Sequence, residues 1–574
     1  MARQKVAAAP PSQADTIART EVTVPAFPCS WEKYFAWIAS VLALVFFLVA
    51  FAESRGKSPT SDEPPHLAAG LSYVSTGIFR ANPEHPPLLK ELSGLSLLLG
   101  GIRFPRNKET EFLLHGPRPK GGLEPEWEIG NKIISNDPDR VLFWARLPFL
   151  LIASLLAVLI YFLGRELVGG PAALCAVLLY ICDPTILGHS YLVTTDLGLA
   201  AFSVLFLFAV WRYLRHPTTR GLILCGVALG AALCAKFSGV LLLPVLAALL
   251  LAALIWPVVS GGHEPKGQGP PRRVMRSAAV FLAMCAIAIV VIEALYFFSK
   301  DPFLYAYGLT QVNANHIPDF NAYLAGELQH RFLSYFAAAY LLKEPVVIVV
   351  LSLSGLVLLL RNRSITPLQK AFLLAPAAVM FAAATLWAEN IGIRYIMLVL
   401  PLAHLLGGLA LATLLTAGRK WAIWVAGALG AWLLFAAAGA YPDHISYFNE
   451  SACLLEAPEQ TGIDGGSKCG TLWLDDSNVD WGQGLKQLKA WLDHNAPGRT
   501  IRYYSAYGFP PQAYGIPTQR IPFEDLMKHP SPGLYVVSAS MVARLSAATG
   551  IDDWLHSTSP AAVVGHALYV YDIK

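Results

Sequence analysis

The run Tyr34–Ala52, YFAWIASVLALVFFLVAFA, decides how the rest of the chain is read. It carries no charge and a single serine, and its 19 residues approach the roughly 20 that an α-helix needs to cross a bilayer. The 33 residues before it are polar and Pro/Ala-rich, without the short apolar core of a signal peptide, and no small-residue cleavage pattern follows. The run therefore reads as an anchor that stays in the membrane. Ten further runs of the same kind lie at about 141–163, 171–188, 196–214, 221–236, 239–259, 275–298, 345–361, 367–387, 392–416 and 421–440. With the first, at 35–53, they predict a polytopic α-helical membrane protein of about eleven transmembrane helices.

Composition agrees. Of 574 residues 55% are hydrophobic and 14% charged, with a mean hydropathy of +0.49, and a soluble chain carries nearly twice that share of charge. The net charge of +4 is small and dispersed, which argues against a nucleic-acid partner. Six of the eight cysteines precede the midpoint, and all of these but Cys29 lie in or beside apolar runs, where Cys behaves as a small hydrophobe. Cys453 and Cys469 sit together near the C-terminus and can pair if that side is oxidising; the sequence leaves this open.

Orientation follows from the short loops, because Lys and Arg accumulate on the cytoplasmic side. Alternate loops hold Arg165; Arg212, Arg215 and Arg220; Lys266, Arg272, Arg273 and Arg276; Arg361 and Arg363; and Arg419 and Lys420. The intervening loops are poor in base. This threading predicts a cytoplasmic tail at 1–33 and a membrane domain at 34–440 with outer loops at 54–140 and 299–343. A soluble extracytoplasmic segment at 441–574 follows. Within that segment a helix-like run, Gly484–His494, precedes strand-like runs at Arg502–Tyr507, Leu534–Ser538 and Ala567–Tyr571, so a small α/β domain is expected. In the first outer loop, Leu88–Leu99 is too short to span and reads as an interfacial helix. There is no internal repeat.

The unusual polar residues all fall on the outer face. Asp62 and Glu63 follow the first helix. Glu84 and His85 sit in the rigid turn Asn82-Pro83-Glu84-His85-Pro86-Pro87, and Asp196 stands at the mouth of a helix. Lys236 lies between two apolar runs, and Arg394 follows Glu389-Asn390-Ile391-Gly392. Each has a plainer role: Asp196 suits a helix N-terminus, Lys236 a snorkelling side chain, Glu84-His85 a turn, and Asp62-Glu63 solvated acids. Charge near a bilayer is costly unless paired or facing water, so their gathering on one face points to function. Carboxylates can deprotonate a hydroxyl, and fixed cations can steady an anionic leaving group. A carboxylate beside an imidazole can hold a divalent metal ion. No Gly-rich phosphate loop is present, so no nucleotide cofactor is expected.

Asp62-Glu63, His66-Leu67-Ala68-Ala69-Gly70 and Asn82-Pro83-Glu84-His85-Pro86-Pro87-Leu88-Leu89-Lys90 together resemble the phospholipid-carrier-dependent glycosyltransferases of the GT-C membrane superfamily. That superfamily includes the protein O-mannosyltransferases and the aminoarabinose transferases of lipid A. His189–Asp196, Lys236-Phe237-Ser238-Gly239, Gly392-Ile393-Arg394-Tyr395, Tyr441–Glu450 and Asp476–Gln483 extend the likeness to about residue 490. The resemblance implies transfer of one sugar from a polyprenyl-phosphate carrier to a glycan, lipid or protein acceptor on the extracytoplasmic face. Bacterial members imply undecaprenyl phosphate as carrier and the inner membrane as location. It further implies Asp62 as general base with inversion, Glu63 sharing that task, and Asp196 orienting the acceptor or aiding a metal. Lys236, Arg394 and His85 would bind the donor phosphate, and Glu84 with His85 would contribute to a metal site.

Two other classes fit the sequence less well. A lipid or glycan transporter would place charge near the midplane and show repeated halves, and neither is visible. A noncatalytic assembly subunit would leave Asp62 and Lys236 idle. The dense polar stretch Asp475–Gln483 suits either acceptor selection or, through Asp476-Ser477-Asn478, an N-cap on the helix that follows.

Overall fold

The computed structural model describes residues 32–116, 125–256, 270–314, 321–454, 456–521, 526, 530–549 and 554–574. The expected tail, up to residue 31 and including Cys29, lies outside the described residues, as does Lys266. Among the described residues seven helices are long and apolar enough to cross a membrane: Lys33–Arg55, Pro138–Leu167, Asp196–Arg215, Phe237–Ile255, Pro271–Leu295, Pro367–Trp387 and Lys420–Ala440. Tyr335–Lys343 and Val346–Arg361 make an eighth as a pair bent by 117°. Pro345, which has no N–H to continue a helix, stands at the bend. Three further apolar helices, Gly170–Ile181, Thr219–Ala235 and Val399–Leu415, are shorter. Large apolar side chains such as Leu155, Trp424 and Phe435 point outward from this body, as lipid-facing positions require. The chain is a multi-pass membrane protein.

Two boundaries differ from the sequence reading. The run at 171–188 is cut at Cys182, because Asp183 accepts from the N–H groups of Thr185 and Ile186 and starts a new helix, Pro184–His189. The run expected from 239 opens earlier, with a 3₁₀ turn at Phe237–Leu241 that leads into Leu242–Ile255. The short outer run forms a helix at Leu88–Leu99, and half-wet leucines such as Leu95 and Leu99 remain on its open side.

The C-terminal region carries a five-stranded mixed sheet. Its spatial order is Thr518–Arg520, Ile501–Tyr504, Gly533–Ser538, Leu568–Ile573, Ala562–Val564. The first three strands run parallel and the last two pair antiparallel. Cys453 and Cys469 are joined by a disulfide. The helix-like run becomes Leu485–Asn495 with Gly484, not Asp476–Asn478, at its N-cap; those three form a separate 3₁₀ turn. Capping therefore does not explain the polar stretch. The region is not a pendant. Asp443 pairs with Lys57, and His444 Nδ1 lies 2.5 Å from Glu53 Oε2. The Lys343 ammonium donates to the carbonyls of Ile445 (2.8 Å) and Asn478 (2.6 Å).

Candidate active site

The polar residues singled out in sequence stand at helix ends, and the connections bring those ends to one place. Asp62 is the residue before the helix Glu63–Thr76, and Asp196 is the first residue of Asp196–Arg215. Lys236 ends Thr219–Ala235, and Arg394 sits in the short turn Ile393–Ile396 that leads into Val399–Leu415. Together with His66, Glu84, His85, Trp127 and Tyr395 they line a cavity of about 170 Å³.

Two ion pairs order its charge. Arg394 Nη1 donates to Asp62 Oδ2 at 2.7 Å and lies 4.0 Å from Asp196 Oδ2, while Lys236 Nζ donates to Asp196 Oδ1 at 2.5 Å. Asp62 keeps 27% of its side-chain exposure, whereas Asp196 keeps 2%, so of the two acids Asp62 is the one open to an incoming group. Arg394 Nε is buried with no hydrogen-bond partner, a donor left over for a ligand. Aromatic rings back both cations: Lys236 lies 4.4 Å from the Tyr395 ring and Arg394 4.1 Å from the Trp481 ring.

Two imidazoles complete the wall, 4.7 Å apart between ring centres. Burial pushes His66 down to about 4, and His85 is driven well below the ordinary range by burial and then by the neighbouring His66, Lys90, Lys236 and Arg394. Both are neutral at physiological pH. His66 Nδ1 is 2.7 Å from the carbonyl of Val193, which only accepts, so Nδ1 carries the proton and Nε2 presents its lone pair.

The turn carrying Glu84 and His85 is held from beneath. Asn82 adopts φ +45°, a region Asn tolerates better than most residues. Its N–H donates to Glu126 Oε1 (2.6 Å), and its side chain donates to Glu84 Oε1 (2.9 Å). The buried Lys90 ammonium donates to the carbonyls of Asn82 (2.7 Å) and His85 (2.6 Å). Burial pulls Lys90 down to about 7. The helices Glu63–Thr76 and Leu88–Leu99 cross through Gly70 and Gly94. A Cβ on Gly70 would stand 1.8 Å from the Lys90 carbonyl oxygen, so only glycine permits this approach.

Glu63 is placed elsewhere. Its carboxylate takes two bonds from Arg146 (2.8 and 2.7 Å) and others from the N–H groups of Thr60 and Val193, and it is fully buried outside the cavity. Glu84 and His85 do not assemble a third metal ligand. Among the described residues, three potential ligand atoms come within 4.8 Å of one another only at the buried Asp183, Glu344 and His404. His66, Lys90 and Tyr395 fall in sequence motifs that assign them no role, and the sequence carries no signal for Trp127 as a wall residue.

Residues 129–260 match the family model described as dolichyl-phosphate-mannose-protein mannosyltransferase. The glycosyltransferase resemblance read from the sequence holds. No curated protein matches the sequence. Among solved structures, the chain is similar to ArnT from Cupriavidus metallidurans bound to undecaprenyl phosphate, with 14% identity, a TM-score of 0.42 and coverage of 92% of this chain and 97% of that one. It is also similar to the apo oligosaccharyltransferase of Archaeoglobus fulgidus (13% identity, TM-score 0.47, 91% of this chain, 71% of that one). The donor-bound Pmt1-Pmt2 protein O-mannosyltransferase complex of S. cerevisiae is a third (17% identity, TM-score 0.34, 54% of this chain, 44% of that one). At these TM-scores they stand as similarities, and the cavity itself bears on function.

Proposed function

We propose that the protein transfers a single sugar from a polyprenyl-phosphate carrier to an acceptor hydroxyl, with inversion at the anomeric carbon and Asp62 as general base. The observation that carries this reading is the pairing of an accessible carboxylate with a cation that still has an unpartnered donor. Arg394 and Lys236 would hold the carrier phosphate, where negative charge grows as the glycosidic bond breaks. Asp62, released from Arg394 as the phosphate arrives, would take the acceptor proton on the opposite side of the sugar. Asp196 would fix Lys236, and the neutral His85 would donate to a phosphate oxygen. Glu63 would serve the fold through Arg146. A divalent ion at Glu84 and His85 lacks a third ligand there, so no step is routed through one.

If the three shorter apolar helices cross as well, they would bring the seven long helices and the bent pair to eleven crossings. With basic loops inside, eleven crossings put the N-terminus in the cytoplasm. The cavity and residues 441–574, as a soluble α/β domain, then lie on the extracytoplasmic side, and a disulfide at Cys453–Cys469 suits that compartment.

The test uses purified protein in lipid with a panel of polyprenyl-phosphate sugars, following free polyprenyl phosphate by mass spectrometry. Asp62→Asn is expected to cut release about 10²–10⁴-fold while donor still binds. Unchanged release in that variant removes Asp62 as base, and absence of release across donors and acceptors favours transport.

A further inference from the structure

The cavity's two central groups, Asp62 and Arg394, are 332 residues apart in sequence, yet one short stretch of the C-terminal region touches the backbone beside both. On the Arg394 side, the N–H of Ile393 donates to Asn478 Oδ1 at 3.0 Å, and Ser477 Oγ donates to the carbonyl of Ile391 at 2.6 Å. Between them Gly392 lies so close that a Cβ there would stand 2.1 Å from Ser477 Oγ. The Trp481 ring then lies against the guanidinium itself. On the Asp62 side, the carbonyl of Trp481 accepts from the N–H of Ser61 at 2.9 Å, and the carbonyl of Gly482 accepts from Ser58 Oγ at 2.9 Å. Trp481 is 2% exposed, and its own N–H is tied to Gln483 Oε1 at 2.6 Å. Asp476 opens the stretch at φ +53°, a conformation that a non-glycine residue keeps only where its surroundings enforce it.

From this geometry we infer that residues 476–483 act as a template that sets the spacing of Asp62 and Arg394, with Trp481 the positioning residue for the guanidinium that receives the carrier phosphate. The inference rests on the function proposed above. A guanidinium left to itself samples many rotamers. Seated on an indole face, with Nη1 on Asp62 and Nε left without a partner, it is held in one orientation, so less order has to be imposed when an anion arrives. Packing alone would fill the same volume without selecting an anion, and that difference is measurable.

The experiment compares the affinity of the full-length protein in lipid nanodiscs for undecaprenyl phosphate and for undecaprenol, which lacks the phosphate. Arg394→Gln is expected to weaken undecaprenyl phosphate at least tenfold and leave undecaprenol unchanged. Trp481→Leu is expected to weaken undecaprenyl phosphate about tenfold, again without touching undecaprenol, and Trp481→Phe to restore it to within about threefold. Should Trp481→Leu fail to fold, Ser477→Ala, which releases Ile391, is expected to lower the phosphate preference about threefold. A Trp481→Leu protein that keeps its preference, or loses both ligands alike, overturns the inference alone. So does a folded Ser477→Ala protein with full preference when the leucine variant does not fold. An unchanged preference in Arg394→Gln removes the phosphate assignment and the inference with it.

Discussion

Asp62 and Glu63 are adjacent carboxylates with different surroundings, and the difference lies in partners the local sequence does not reveal. Glu63 meets Arg146, 83 residues further on, in a pair with no exposure; Asp62 meets Arg394 at a cavity wall. Removing one member of a buried pair strands the other charge and costs about 3–5 kcal/mol. Glu63→Gln is therefore expected to lower the thermal unfolding temperature in detergent by several degrees, while the fraction that stays folded keeps its turnover. Asp62→Asn is expected to do the reverse, keeping the unfolding temperature and losing turnover. Activity per folded molecule, measured beside the melting curve, separates the two; a Glu63→Gln protein that is stable and inactive would return Glu63 to the chemistry. The acidic pair was legible as a candidate. Its division of labour was not, since it depends on a guanidinium reached only when the helix Pro138–Leu167 packs alongside.

At the scale of elements, the site depends on how closely two short outer helices cross. Sequence periodicity located Leu88–Leu99 to the residue, because its apolar run is bounded by prolines before and glycines after. It gave no sign that Gly70 and Gly94 would form the crossing, as a glycine in an apolar helix looks the same whether or not a neighbour leans on it. A methyl at Gly70 must push the Leu88–Leu99 helix away from the Lys90 carbonyl. Gly70→Ala is expected to cost about 1–3 kcal/mol in stability and to displace the turn that Lys90 clamps. Donor binding should then fall, although no cavity residue has been altered; Ser72→Ala, two residues on in the same helix, serves as the comparison. Equal donor affinity in the two variants would show that the crossing can relax without moving His85. The bent pair Tyr335–Lys343 and Val346–Arg361 makes the same point from the other side: the apolar run at 345–361 was visible, but the 117° bend that delivers Lys343 to the C-terminal region was not.

For the whole molecule, the feature least visible in sequence is the depth to which the C-terminal region is built into the helical body, through contacts spanning more than a hundred residues. Its consequence is an unusual pH dependence, because several groups outside the long apolar helices are buried in the form that carries no charge. Burial raises Asp480 to about 7 and Glu91 to about 8, and lowers His66 to about 4 and His85 well below its usual range. Between about pH 4.5 and 6.5 these two acids keep protons that the unfolded chain has released, so each subtracts stability as pH rises. Over the same window the two imidazoles are neutral in the fold and charged when unfolded, so each adds stability as pH rises. Burial lowers His189 to about 4 as well, so these opposed contributions largely offset, and the measurable quantity is the difference between the parent and a variant that lacks one group. Asp480 is the group to remove. Its Oδ1 accepts from the N–H of Gly482 at 2.9 Å, a bond that an amide oxygen can keep, and the side chain beside it is the neutral Ser538. Asp480→Asn should leave the fold intact and gain stability relative to the parent as pH rises from 5 to 7.5. Melting curves of both proteins across that range decide it. An unaltered slope would mean that Asp480 is ionised in the folded chain, and that a cation or water reaches a side chain the structure shows as sealed.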